Sequence, residues 1–234
     1  MKKKIAVIGS GIAGLTIANL FKKNLNFEIV VYEKEKILSL EEGYGIQLAP
    51  NSVSILNKIG LSNINNKEFS NPSNLNFYSS NNHKICDLNL SRFNSEEFKY
   101  TTLKRSVLIE FLKNKLFANN LRFGKEVKKI SKIKEKLLIN FKDNTNDLVD
   151  FIVVSDGVFS NTKSIVENKS IQPVYNGSIA IRTIIKNLPE SNYDKNSISL
   201  IMLKNAHIVI YPINKKGELN VVCIIRQKLS NNID

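Results

Sequence analysis

Lys4-Ile5-Ala6-Val7-Ile8-Gly9-Ser10-Gly11-Ile12-Ala13-Gly14 is the stretch that decides the fold. Ile5 to Ile8 form a short continuous apolar run, the pattern of a strand buried on both faces of a parallel sheet. Three glycines follow in G-x-G-x-x-G spacing, and beyond them Leu15, Ile17, Ala18, Leu20 and Phe21 recur as the apolar face of a helix. Glu28-Ile29-Val30-Val31-Tyr32 reads as a second strand, closed by Glu33 nineteen residues after Gly14. Strand, glycine loop, helix, strand and terminal acid thus stand in the order of a dinucleotide-binding βαβ unit.

Each part has a physical task. Gly9 makes the tight turn, Gly11 lets a pyrophosphate approach the backbone, and Gly14 lets the helix lie close to the strand. The free N–H groups of that helix face the anion, and Glu33 accepts hydrogen bonds from the ribose hydroxyls. Ser10 and Ala13 within the loop, and Lys34 beside Glu33, belong to the same candidate cofactor site. An acid at the strand end favours the free ribose hydroxyl pair of FAD or NAD over a 2′-phosphate.

Composition sets the outer bounds. The 234 residues are 42% hydrophobic, 8% aromatic and 24% charged, which fits a globular protein of one large or two small domains and excludes collagen-like or disordered chains. The 34 basic and 21 acidic residues give a net +13, yet only Arg92, Arg105, Arg122, Arg182 and Arg226 are arginines and no nucleic-acid-binding pattern accompanies the lysines. A lysine-coated surface that attracts anionic small ligands is the simpler reading, with no nucleic-acid partner. Cys86 and Cys223 are too few and too far apart for a disulfide framework or a cysteine-based metal site, so a reducing, cytoplasmic setting is expected. The basic start followed by apolar residues mimics a signal peptide, but the glycines interrupt it, and no apolar run approaches the roughly eighteen residues of a spanning helix.

The next segments separate the flavin from the nicotinamide cofactor. Gly43-Tyr44-Gly45-Ile46-Gln47-Leu48-Ala49-Pro50-Asn51-Ser52 runs into Val53, Leu56 and Ile59 at helical spacing, with Gly60 at the helix C-terminal position. This stretch, with Leu56-Asn57-Lys58-Ile59-Gly60-Leu61, resembles the FAD-dependent aromatic hydroxylases that include salicylate and hydroxybenzoate hydroxylases, in which it lies beside the flavin ring. Leu103-Lys104-Arg105-Ser106-Val107-Leu108 is similar to the family's R-x-x-L helix, whose arginine contacts the flavin cofactor. Val127, after Glu126, stands where a backbone contact to adenine lies. Ser155-Asp156-Gly157-Val158-Phe159-Ser160 resembles a motif assigned to both FAD and NAD(P)H, with Ser155 in place of a usual alanine and Lys163 in place of the closing arginine. Read without the family, Asp156-Gly157 is a hairpin-turn signal. Tyr175 to Arg182 and His207 to Pro212 resemble two strands of the family's substrate sheet. His207, alternating with apolar residues and without an acidic partner in sight, reads as structural, and His83 as a turn residue.

The resemblance implies an α/β fold: a Rossmann-like FAD-binding domain from about 1–70 and 101–170, and a mainly antiparallel substrate sheet from 71–100 and 171–234. It implies an NAD(P)H-dependent monooxygenase that hydroxylates a phenol-like substrate with O2 through a flavin hydroperoxide. FAD would be held by Gly9, Ser10, Gly11, Ala13, Gly14, Glu33, Lys34, Gln47, Arg105, Val127, Asp156 and Gly157, with no metal and no catalytic base assigned. Runs at Ile198–Leu203, Ile208–Ile213 and Leu219–Ile225 continue the sheet. The family's later G-D-A-x-H-x-x-x-P return segment has no counterpart before Asp234, so a truncated chain is expected, with an open sheet edge and an uncovered apolar face. A complementing polypeptide or a second copy would then complete it. Two other readings stay open: a truncated or split member that binds FAD weakly without catalysis, and an NAD-binding dehydrogenase sharing only the first motif.

Overall fold

The structure, a computed structural model, describes residues 1–38, 44–186 and 194–228. Gly43 and the end from Ser230 to Asp234 lie outside them. The chain begins β1 (Lys3–Ile8), α1 (Ile12–Phe21), β2 (Phe27–Tyr32), β3 (Gly45–Leu48), α2 (Pro50–Asn57), β4 (Phe69–Ser70), β5 (Asn74–Tyr78), β6 (Lys84–Asn89) and β7 (Thr101–Lys104). It continues with α3 (Arg105–Asn114), β8 (Leu121–Arg122), β9 (Val127–Ile133), β10 (Lys136–Phe141), β11 (Asn146–Val149), β12 (Phe151–Val154) and α4 (Asn161–Glu167). It closes with β13 (Ser178–Ile185), β14 (Ser197–Met202), β15 (Ala206–Pro212) and β16 (Leu219–Arg226). Two compact units result, one from residues 1–40 and 109–174, the other from 41–108 and 175–234. Segments 41–70 and 101–108, placed with the cofactor domain by the sequence reading, are in the second unit, because β3, β7 and β4 form a sheet of their own.

In the first unit a parallel sheet runs in the order β12-β1-β2-β8. Its central strand is buried on both faces as the apolar run predicts: Ala6 and Ile8 join Val30, Tyr32, Ile139 and Phe141 on one side, Ile5 and Val7 join Ala18, Ile29 and Val31 on the other. An antiparallel sheet, β11-β10-β9, supplies Ile139 and Phe141. The β-prone run from Val149 to Val154 is divided between two strands. The chain leaves β11 at Val149 and joins β1 from Phe151, and Asp150 makes the switch by donating its N–H to the Lys4 carbonyl (2.9 Å) and accepting the Lys4 N–H at 2.8 Å.

A second linkage ties the two sheets. Asp147 accepts from the Lys4 ammonium at 2.7 Å and from the Tyr32 hydroxyl, with Arg122 3.6 Å away. Burial pushes the Tyr32 phenol well above its ordinary range, and the Asp147 charge adds to it. Burial also opposes the charge of Asp147, but the Lys4 and Tyr32 hydrogen bonds more than offset it and hold the carboxyl below its ordinary value.

In the second unit a six-stranded sheet runs in the order β13-β16-β15-β14-β5-β6, antiparallel except where β5 pairs with β14. One face buries Ile198, Tyr211 and Ile213 beneath Leu90 and Tyr100. Its outer strand β13 leaves Ile179 and Ile181 41% and 57% exposed. The hairpin after β15 holds the small β3-β7-β4 sheet: the Thr102 hydroxyl donates to the Pro212 carbonyl (2.5 Å), Ser70 to Asn214 (3.0 Å), and Lys104 pairs with Glu218 at 2.7 Å. Among the described residues, no helix is long and apolar enough to cross a membrane.

Candidate functional site

The three glycines divide into two kinds. Gly9 has φ +99, and a side chain there would stand 2.6 Å from the Ser155 carbonyl oxygen; a Cβ on Gly14 would lie 2.0 Å from the Gly9 carbonyl oxygen. Both are required for α1 to sit against β1 and β12. Gly11 differs, since its φ of −71 suits any residue and a Cβ there meets nothing within 4 Å. The space that would receive that Cβ is an open cradle at the start of α1. Gly11 is the N-cap of α1 without a side-chain cap, and the first helical bond runs from the Leu15 N–H to the Gly11 carbonyl. The N–H groups of the first turn therefore have no intrahelical partner and favour an anion. Ala13, exposed in that turn, leaves the approach clear.

Glu33 follows β2 directly and turns back to the loop. Its Oε2 accepts from the Ser10 N–H (2.8 Å) and hydroxyl (2.7 Å), and its Oε1 from the Glu35 N–H at 3.1 Å. Burial alone would raise its carboxyl, but the Ser10 hydroxyl and the backbone donors more than offset this and hold it below the ordinary value. The Ser10 and Glu35 donors, joined by the Lys34 N–H, already occupy most of the acceptor capacity of this carboxylate, so a sugar hydroxyl would share or displace one of them. Lys34 points outward, 3.8 Å from the Glu35 carboxylate. Gly9, Ser10, Gly11, Ala13, Gly14 and Glu33 thus form one local group, and the residues fit the phosphate and ribose of an adenine dinucleotide such as FAD.

The Ser155 segment borders the same loop. Both the N–H and the hydroxyl of Ser155 donate to the Ile8 carbonyl, at 2.9 and 2.8 Å, and that hydroxyl fills the space next to Gly14. Asp156 accepts from the Ser160 hydroxyl (2.5 Å) and the Thr162 N–H (3.3 Å), which ties it to the start of α4. Gly157, at φ +88, is exposed beside it. The turn signal leads from β12 into α4 and not into a hairpin. Val127 is 5% exposed with its side chain in the core, which leaves only its backbone for a ligand.

Gln47 and Arg105 belong to the second unit. Gln47 accepts from the Tyr100 hydroxyl at 2.8 Å. Burial pushes the Tyr211 phenol up to about 12, while the Arg182 charge and a hydrogen bond from Gln47 pull the other way. The Arg105 N–H donates to the Tyr44 carbonyl (2.9 Å), and among the described residues its half-buried guanidinium makes no hydrogen bond or ion pair. An unpaired cation at the start of a helix is unfavourable by itself, which argues for an anionic contact. His207 lies in β15, opposite Met202 of β14 and Ile224 of β16. Sequence reasoning missed Tyr100 and the task of Tyr211; the available signal was a tyrosine alternating with core-facing Val209, whose hydroxyl must find a partner when buried.

The chain is similar to known proteins both in sequence and in fold. Residues 7–41 match the family described as a NAD(P)-binding Rossmann-like domain. The chain is 27% identical over 191 residues to 6-hydroxynicotinate 3-monooxygenase of Pseudomonas fluorescens, covering 77% of this chain and 47% of that protein. It is 25% identical to 3-amino-4-hydroxybenzoate 2-monooxygenase PtnB3 of Streptomyces platensis, covering 96% and 57%. The chain therefore spans about half the length of the curated relatives it matches. In fold it matches Klebsiella pneumoniae HpxO complexed with FAD and uric acid (TM-score 0.85, 19% identity, 99% of this chain and 58% of that one). It also matches a salicylate hydroxylase substrate complex (TM-score 0.79, 17% identity, 100% and 58%). In sequence the chain is similar to FAD-dependent aromatic-ring monooxygenases, and it shares the fold of such hydroxylases.

Proposed function

We propose that the chain forms the FAD-binding portion of a flavin-dependent, NAD(P)H-driven monooxygenase that hydroxylates a small aromatic molecule. The observation that carries this reading is the open cradle at Gly11, framed by two glycines that cannot bear a side chain and by a Glu33 held ionised beside Ser10. The first turn of α1 receives the pyrophosphate, and Glu33 receives the ribose. Asp156 and Gly157 border the same loop in the first unit, and in the second unit Arg105 and Gln47 are the residues that the family resemblance assigns to the cofactor. FAD, when bound, supplies the oxygen-transfer chemistry, taking electrons from NAD(P)H. The chain's own residues bind and orient it. Lys163, in place of an arginine, keeps the charge for NAD(P)H without bidentate recognition. The relatives' names point to a hydroxylated or carboxylated ring as substrate, and the +13 charge draws such anions to the surface. Two free cysteines fit a reducing, cytoplasmic setting.

The test is to purify the chain with and without FAD and to record visible absorption and flavin fluorescence against the released cofactor. A bound-flavin spectrum is expected, followed by NADH-dependent oxygen consumption with aromatic acids. A folded protein that leaves FAD fluorescence unchanged at saturating concentration refutes the reading.

A further inference from the structure

Asn220 is fully buried in β16, directly across from Tyr211 of β15. Its Oδ1 accepts the Gly45 N–H at 2.6 Å, while its Nδ2 has no partner. The contact is tight from the other side as well: a Cβ on Gly45 would lie 2.6 Å from the Cβ of Asn220 and 2.6 Å from Ile213. Gly45 has no left-handed backbone to explain it, so the glycine is there for the approach of Asn220. Burying an amide with half its hydrogen-bonding capacity unused costs more than one net hydrogen bond returns, and an apolar residue would fill the position better if packing were its only task.

Placement supplies the other task. Alternation along β3 sets Gly45 and Gln47 on the same side of the strand. Gln47 accepts the Tyr100 hydroxyl at 2.8 Å, Tyr100 packs against the cluster that holds Tyr211, and Tyr211 is the cross-strand neighbour of Asn220. Asn220 thus holds the start of β3 through Gly45, and Gln47, two residues on, reaches Tyr100 in the cluster beside the cross-strand neighbour of Asn220. We propose that Asn220 is a positioning residue that fixes β3 against β16 and so sets where the Gln47 amide stands relative to Tyr211 and Tyr100. Its effect on a bound flavin rests on the reading of Gln47 given above; its effect on Gln47 does not.

The test uses the whole chain with Asn220→Leu, which fills the space without an acceptor, and Asn220→Asp, which restores one. Without FAD, hydrogen exchange of the Gly45 N–H and the side-chain amide resonances of Gln47 are followed by NMR; with FAD, the visible band of the bound flavin is recorded. Asn220→Leu is expected to speed Gly45 exchange about tenfold, the equivalent of one lost hydrogen bond, to shift the Gln47 resonances, and to move the flavin band toward that of free FAD. Asn220→Asp is expected to return all three toward the parent values. Should Asn220→Leu not fold, Asn220→Ser, whose oxygen is too short to reach Gly45, serves the same comparison. A folded Leu or Ser variant with unmoved Gln47 resonances overturns the proposal, as does an Asp variant that folds without restoring them. A parent chain with no bound-flavin band refutes the cofactor reading instead, and the Gln47 resonances then decide the role of Asn220.

Discussion

Substituting Gly11 and Gly14 by alanine separates ligand binding from folding within four residues of chain. At Gly11 the backbone, φ −71 and ψ −178, is open to alanine, and the new methyl meets nothing within 4 Å. Loss of glycine freedom in the unfolded chain stabilises by about 0.4 to 1 kcal/mol. Alanine is a poorer N-cap than glycine by about the same amount. The two nearly cancel, so Gly11→Ala should melt within about 4 °C of the parent, given roughly 2 to 4 °C per kcal/mol for a chain of this size. At Gly14 the methyl would stand 2.0 Å from the Gly9 carbonyl oxygen, and α1, with Leu15 and Ala18 fully buried, must shift to admit it. That overpacking costs about 3 kcal/mol or more. Circular-dichroism melts and quenching of FAD fluorescence read the two effects apart. Gly11→Ala should keep the fold and weaken FAD binding at least about tenfold, or about 1.4 kcal/mol, because its methyl fills the place reserved for the pyrophosphate. A Gly11→Ala chain that binds FAD like the parent, or that melts as low as Gly14→Ala, refutes the cradle.

Glu33→Ala should lower FAD affinity about tenfold, the worth of hydrogen bonds to a charged acceptor; an unchanged titration removes the ribose assignment. Asp147→Asn should destabilise by about 1 to 3 kcal/mol at neutral pH by breaking the Lys4 and Tyr32 contacts. Because the folded Asp147 carboxyl lies below its ordinary 3.8, its contribution is complete above that value and is lost as pH falls through the depressed one. Melts taken downward from pH 5 should therefore converge for parent and variant, and a constant gap would refute the linkage. Ile181→Lys, on the 57% exposed side chain of the outer strand β13, should reduce light scattering on concentration without lowering the melting temperature.

The first βαβ unit was legible because its signals are local. Ile5 to Ile8 are buried on both sides as a continuous apolar run requires, and the glycine spacing fixes where β1 ends and α1 starts. The sheet switch at Asp150 was not legible, because Val149 and Phe151 to Val154 read as one β run across a single acid, while Val149 pairs with Leu137 of β10 and Phe151 to Val154 pair with β1. Asn19 escaped for a similar reason. It lies on the buried face of α1, where it donates to the Leu15 and Leu112 carbonyls at 2.8 Å, and only the partner 93 residues away explains a polar residue there.

The same distinction governs the candidate site. Glu33, Ser10 and the glycines are set by spacing within thirty-three residues, so their arrangement follows from the motif. Gln47 was found by resemblance, and what holds it was invisible, since its surroundings arrive from Tyr100, Tyr211 and, through Gly45, from Asn220, 175 residues away from Gly45. A motif preserves the residues that face a ligand, whereas the residues that aim them answer only to local packing and can sit in any strand the topology brings near. Gly45 shows how such a residue can still leave a trace. A glycine with no need for a left-handed backbone, in the middle of a polar and apolar alternation, marks a place where another chain segment approaches too closely for a side chain.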